Sequence, residues 1–238
     1  MPTASLWTRA SAGLAAPEVT VEVHLSAGLP AFNVVGLPES TVRESRERVR
    51  SALLNSHFDW PDYRITVNLA PADLPKGGGR FDLPIALGLL AASGQLPAAA
   101  LVGREFYGEL ALDGRIRPGR GLMAAVREAT AAKRVCAVPA ANASALALLP
   151  GSRVVGAEDL LSLCGTIKTQ APSATAATAI EEPAEEQPDL LDVRGQHAAR
   201  RGLEIAAAGG HHLLKRWTIK PRQLRPLSTP VKLGRLKR

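Results

Sequence analysis

The 238 residues are 46% hydrophobic and 21% charged, a balance that can bury a core and excludes a wholly disordered or collagen-like chain. Aromatic residues make up only 4%, so branched aliphatics and alanine must fill that core. The net charge of +7 would suggest a polyanionic partner, but residues 215–238 hold nine of the 29 basic groups and none of the 22 acids, so whole-chain basicity is no argument for nucleic-acid binding.

Ser5 to Trp7 reads as a short first strand. Val19, Val21, Val23 and Leu25 alternate with Thr20, Glu22, His24 and Ser26, the period of a half-buried strand. Gly28 and Pro30 turn the chain, and Phe32 to Val35 gives a third strand that ends at Gly36. From about Pro38 to Ser56 the period becomes helical: Val42, Val49 and Leu53 share a face, with Glu39–Arg43 and Glu44–Arg48 as i,i+4 pairs.

The first domain is organised around the stretch from Arg64 to Leu90. Ile65, Val67 and Leu69 alternate with polar neighbours as a strand. Pro71, Pro75 and Gly77 to Gly79 then form a loop that no regular element could hold. Asp82 can cap a helix from Leu83 to about Ser93, with Pro84 in its first turn. That helix is apolar nearly all round and is expected to be buried. The apolar run from Leu83 to Gly103 is broken by Pro84, Gly94, Gln95 and Pro97, which fits a buried helix and a turn better than a membrane span.

Further on, Phe106 to Leu112 reads as a strand closed by the Asp113-Gly114 turn. Helices at Gly121–Lys133, Ala141–Leu148 and Asp159–Leu163 alternate with strands at Arg134–Val138 and Arg153–Val155. Hairpins first and helix–strand units later predict a mixed α/β layered fold. Residues 166–188 read as a linker, rich in Ala, Thr and Pro, with Glu181, Glu182, Glu185 and Glu186 unable to form a core. Gln196 to Ala208 reads as a helix stopped by Gly209-Gly210. The final segment, 215–238, is expected to be a disordered basic tail. Its nine cations around Trp217 could give nonspecific, salt-dependent DNA binding, although such tails also arise without a role.

Cys136 and Cys164 show no C-x-x-C spacing and read as buried free thiols of a reducing compartment. No basic patch precedes an apolar run at the N-terminus, so no signal peptide is expected and the protein is expected to be cytoplasmic, with no membrane partner. His24, His57, His197, His211 and His212 lack metal-ligand spacing, and adjacent His211 and His212 would point to opposite faces of a strand. No metal site is expected. The loop Lys76-Gly77-Gly78-Gly79-Arg80, followed by Asp82, has two readings. One is an anion site at a helix N-terminus. The other is a tight connection in which Arg80 and Asp82 pair locally or meet a neighbouring domain.

VEVHLSAGLPAFNVVGLPES, RVRSALLNS, RITVNLAPADLPKGGGRFDLPIALGLLAASGQ and GELALDGRIRPGRG closely resemble the ComM/YifB family of magnesium-chelatase-like AAA+ ATPases. The resemblance covers residues 1–214. It implies a ribosomal protein S5 domain 2-like or Lon-protease-like α/β domain over residues 1–165, with a mixed sheet and packed helices. Residues 189–214 would then be an incomplete start of an AAA+ module, with Val193, Gly195 and Gln196 vestigial positions beside the adenine. For the intact family the resemblance implies ATP and Mg²⁺ as cofactors, a homo-hexamer, and DNA as the partner of a helicase that promotes branch migration in natural transformation. An interaction module joining intact subunits, or a magnesium-chelatase-like subunit, are the alternatives.

A G-x-x-x-x-G-K-[ST] phosphate loop should follow Leu214, yet the residues there read KRWTIKPRQLRPLSTPVKLGRLKR. A frameshifted or truncated family member is therefore expected, with no ATPase activity, no catalytic residue and no cofactor of its own. Lon-like domains can be Ser-Lys peptidases, but Gly78 to Asp82 contains no nucleophile, and Met123 stands where a lysine base would be needed. No peptidase activity is expected.

Overall fold

The computed structural model describes residues 3–12, 15–169 and 195–207. The chain divides at residue 180 into two units. The first is built on a seven-stranded, mostly parallel sheet in the order β3-β4-β2-β1-β5-β8-β9. Its strands are β1 (Thr3–Arg9), β2 (Glu18–Ser26), β3 (Ala31–Val35), β4 (Arg64–Ala70), β5 (Arg104–Phe106), β8 (Val135–Pro139) and β9 (Val154–Ala157). A short hairpin, β6 (Glu109–Leu110) and β7 (Ile116–Arg117), stands apart from it.

The two halves of the sheet bury differently, as their sequences require. β1, β2 and β4 pair antiparallel, with Leu6 opposite Val21 and Val23 opposite Val67. Val19, Val21, Val23 and Leu25 are buried while Glu22 on the other face is exposed and accepts a hydrogen bond from Asn68 Nδ2 at 2.7 Å. One face is therefore open to water, the usual state of antiparallel strands with alternating sequence. In contrast, β5, β8 and β9 are parallel, and Cys136, Ala137 and Val138 are buried in succession. This half is covered on both faces.

Helix α3 (Asp82–Ala92) fills the larger core. Every residue but Ala91 is buried, and its five Leu and Ile side chains each contribute about 1.5–3 kcal/mol by leaving water. It approaches β2 so closely that a Cβ on Gly88 would lie 2.6 Å from Val23 Cγ2. A second apolar cluster lies under α4 (Leu122–Ala131), where Leu122, Ala125 and Val126 meet Tyr107, Cys136 and Val138. Helices α5 (Ala140–Ala147) and α6 (Leu160–Thr169) complete the unit. Among the described residues, no helix is long and apolar enough to cross a membrane.

Several expected elements are corrected. The helix expected over 38–56 is broken at Glu44 into α1 (Ser40–Arg43) and α2 (Ser45–Asn55). The i,i+4 pairing expected of Arg48 with Glu44 gives way to a bidentate contact with Asp82. The strand expected over 106–112 breaks at Tyr107-Gly108, because Gly108 turns its backbone toward the start of α3, donating to Arg80 O and accepting from Leu83 N. The short helix expected at 159–163 instead runs to Thr169. Asp159 Oδ1 caps it by accepting from Ser162 N at 2.7 Å, and Ile167 is buried. Thr166 to Thr169 are thus helical, where the linker was expected to begin; the rest of that segment, and the tail, lie outside the described residues.

The second unit is described only over 195–207. There α7 (His197–Ala207) falls within the expected 196–208 and carries an Arg201–Glu204 ion pair at 3.0 Å.

Candidate functional site

The glycine-rich loop begins where β4 ends and runs past the exit of β3. Glu39 N donates to Lys76 O at 3.0 Å, and Pro38 bridges Lys76. Lys76 is fully buried. Its Nζ donates to Gly36 O at 2.8 Å and to Pro71 O, so one ammonium joins the exits of both strands. Burial lowers its pKa, with Asp73 acting in the opposite direction. Gly36 itself has φ +95°, and a Cβ there would collide with Leu69 O. Only glycine lets β3 leave the sheet this close to β4.

Each of the three loop glycines has its own reason. A Cβ on Gly77 would strike the Glu39 carboxylate, and one on Gly79 would strike that of Glu109. Gly78 takes φ +80°, a conformation that side chains resist. The space an anion would need beside Gly77 and Gly79 thus already holds carboxylates. Arg80 is spent on backbone, donating from Nη2 to Arg120 O at 2.8 Å and from Nη1 to Arg9 O at 3.4 Å; burial lowers its pKa, with Tyr107 opposing.

Asp82 neither caps the helix nor pairs with Arg80. Phe81 occupies the N-cap position without a side-chain bond. The Asp82 carboxylate accepts from Arg48 Nε (2.7 Å), Arg48 Nη2 (3.0 Å) and Leu110 N (3.3 Å). This ties α2, α3 and β6 together at one buried point. Arg48 keeps about a quarter of its side chain in water, and Asp82 raises its pKa. Asp82 bears the desolvation, which pushes its pKa up to about 6 although Arg48 and Leu110 pull it down.

This burial makes stability depend on pH. Between the ordinary aspartate pKa of about 3.9 and the folded value, the native state binds more protons than the unfolded one. Stability contributed by Asp82 is therefore full below pH 4 and lost as pH rises through about 6, by on the order of 3 kcal/mol. Asp82→Asn is expected to remove this slope in urea unfolding curves taken between pH 4 and 7; an unchanged slope would contradict it.

The expected site missed a second buried cluster. Glu105 is fully buried in β5. It accepts from Arg9 Nε and Nη2, both at 2.9 Å, from Arg134 Nη1 at 3.0 Å, and from the Tyr107 hydroxyl. Arg134 also reaches Glu18, and its guanidinium carbon stands 4.1 Å from the Trp7 ring centroid. Burial opposes charge on both arginines, yet Glu105 holds the pKa of Arg9 raised, and Glu18 with Glu105 that of Arg134. No local signal marked Glu105, which stands beside Arg104 and four residues before Glu109 in LVGREFYGEL.

Other candidates are dispersed. Met123 is exposed on α4. Gly195 and Gln196 lie just before α7, while Val193, His211 and His212 lie outside the described residues. Among the described residues, no group of three or more His, Cys, Asp or Glu side chains could hold a metal ion. Cys136 and Cys164 are free and buried, and burial pushes each thiol up to about 12. Open clefts of about 520 and 500 Å³ adjoin the β6–β7 hairpin and Arg9, and their arginines Arg117 and Arg127 already face Glu109 and Glu128.

Comparison with known proteins places this geometry in context. Residues 21–142 match a family model described as subunit ChlI of Mg-chelatase, and residues 189–216 match one described as magnesium chelatase, subunit ChlI. The chain is 48% identical over 219 residues to competence protein ComM of Haemophilus influenzae, covering 90% of this chain and 43% of that protein. It is 47% identical over 213 residues to the uncharacterized protein YifB of Escherichia coli, covering 87% and 41%. An uncharacterized protein of Mycobacterium bovis is 40% identical over 206 residues, covering 85% and 40%. The chain spans less than half the length of the curated relatives it matches.

Proposed function

Because this chain belongs to the ComM/YifB family of proteins related to the Mg-chelatase subunit ChlI, we propose that it derives from a competence protein whose intact form remodels DNA at the expense of ATP. The observation that carries this reading is the 48% identity to a competence protein across 90% of the chain. In such a protein residues 1–165 would be the N-terminal α/β domain and residues 189–214 the opening of the ATPase module. ATP and Mg²⁺ would be held by a phosphate loop of the G-x-x-x-x-G-K-[ST] type, and residues 1–238 contain none.

We therefore assign these 238 residues a role in binding or assembly with intact subunits, within a homo-hexamer that acts on DNA in the cytoplasm, and no turnover of their own. The basic segment that begins at Lys215, beside the end of the family match at residue 216, is proposed to be an out-of-frame reading. A second reading, a magnesium-chelatase-like subunit, is favoured by the description of the matching family models. The test of the first reading is ATP turnover by the purified chain with and without single-stranded DNA. Turnover equal to a buffer blank is expected in both, and DNA-stimulated hydrolysis would overturn it.

A further inference from the structure

Where the parallel strands of the first unit begin, cations gather without counter-charge. Arg104 opens β5, Lys133 and Arg134 lead into β8, and Arg153 leads into β9. Arg104 stands opposite Val135, and Cys136 opposite Val154. Arg104 and Arg153 therefore share one row two strands apart, about 10 Å between Cα atoms at the usual strand spacing. Arg153 Nη2 donates to Lys133 O, which brings a third cation to that row. Helix α6 turns back along the sheet onto the turn Ala98–Leu101 that leads into β5. Its ten residues, at about 1.5 Å each, match in length the four of β9, at about 3.3 Å each, so Lys168 in its last turn lies level with the same edge. Segments 95–104, 129–136, 148–154 and 163–169, which meet here, hold these five basic residues and no acid. Arg134 is engaged by Glu18 and Glu105. Arg104, Lys133, Arg153 and Lys168 form no ion pair among the described residues. Arg104 is half-buried and the other three are exposed.

Helix ends account for part of this. Lys133 follows α4 and Lys168 closes α6, where the helix dipole favours a cation. Arg104 and Arg153 begin strands, which carry no comparable dipole. Lys133 also holds its place under strain. Its φ is +59°, in the turn where its N donates to Thr130 O at 2.9 Å and Arg134 N donates to Ala129 O at 3.0 Å, a helix end that usually takes glycine. Neither open cleft includes any of the four residues. A small anion would find nothing to enclose it here, whereas an extended polyanion needs only a row of accessible cations. We propose that this edge of the first unit is a contact surface for the sugar-phosphate backbone of single-stranded DNA, with Arg104, Lys133, Arg153 and Lys168 each meeting a phosphate. The inference rests on the proposed role on DNA and adds to it a surface on the α/β unit. Phosphate contacts position a strand and carry no sequence information, so this edge is indifferent to base.

The test is binding of a fluorescent oligothymidylate to the full chain across a range of salt, in which the basic residues after 214 give a background common to every variant. Each phosphate contact on a single strand adds about 0.7 to the steepness of the log–log salt dependence. Arg104→Gln, Lys133→Gln, Arg153→Gln and Lys168→Gln combined are expected to lower that steepness by about 3. A control that removes the same charge from exposed sites elsewhere, Arg46→Gln, Arg50→Gln, Arg64→Gln and Arg115→Gln, is expected to leave it unchanged. Lys133→Gly alone is expected to lower it by about 0.7 while unfolding at no lower urea concentration than the unmodified chain. A lysine that served only the helix end would behave in the opposite way, with stability lost and binding kept. Equal binding by the edge variant and the control would overturn the surface and leave the DNA role standing, and failure of every form to bind would overturn both. An edge variant that loses poly-L-glutamate but keeps the oligonucleotide would overturn the proposal in favour of an acidic protein.

Discussion

Replacement of Glu105 with alanine is expected to destabilise the first unit by about 3–5 kcal/mol, the usual consequence of removing one partner from a buried ionic network. The reason is the imbalance left behind. Arg9, with 8% of its side chain exposed, would lose both bonds to Glu105 and keep only a 3.7 Å contact with Glu18, and Arg134 would likewise keep only Glu18. The Tyr107 hydroxyl, whose pKa burial and Glu105 hold raised, would lose its acceptor. The cluster joins β1, β2, β5 and the start of β8, so the loss is felt where the antiparallel and parallel halves of the sheet meet. Urea unfolding at neutral pH measures it, and a loss below about 1 kcal/mol, the scale of an exposed ion pair, would contradict the account.

Lys76→Met separates the two readings of the glycine-rich loop. If Lys76 served an anion, its removal would weaken a ligand and leave the fold intact. The geometry predicts the opposite: Gly36 O and Pro71 O lose the donor they share, and a hydrogen bond to a charged donor is worth about 1.5–3 kcal/mol. Relief from burying an ammonium offsets part of this, so a net loss of about 2–4 kcal/mol is expected. Hydrogen exchange is expected to quicken at the exits of β3 and β4 first. Unchanged stability with lost affinity for phosphate or nucleotide would favour the anion site.

Much of the fold was legible in the chain because its elements obey local rules. The alternation of Val19 to Leu25 named both the strand and its buried face, and the apolar run from Leu83 named a helix without a wet side. The Asp113-Gly114 turn lies in the β6–β7 connection, where Gly114 N donates to Ala111 O. The features that were not legible depend on partners far apart in sequence. Asp82 had the position of a helix cap, but Arg48 lies 34 residues upstream and claims both of its oxygens. Glu105 finds its partners at Arg9, Glu18 through Arg134, and Arg134 itself, a set that no local period encodes. Lys76 lay in a glycine loop that could be read as an anion site or as a tight connection. Only the folded chain reveals that its ammonium turns inward, and that Gly77 and Gly79 are glycines because two glutamates lie against them.

The most direct measurement of the proposed function is made on a chimera in which residues 1–214 replace the matching segment of Haemophilus influenzae ComM. The account predicts ATP hydrolysis that rises with single-stranded or branched DNA and is indifferent to protoporphyrin. Hydrolysis that responds to protoporphyrin and ignores DNA would contradict it and establish the chelatase reading instead.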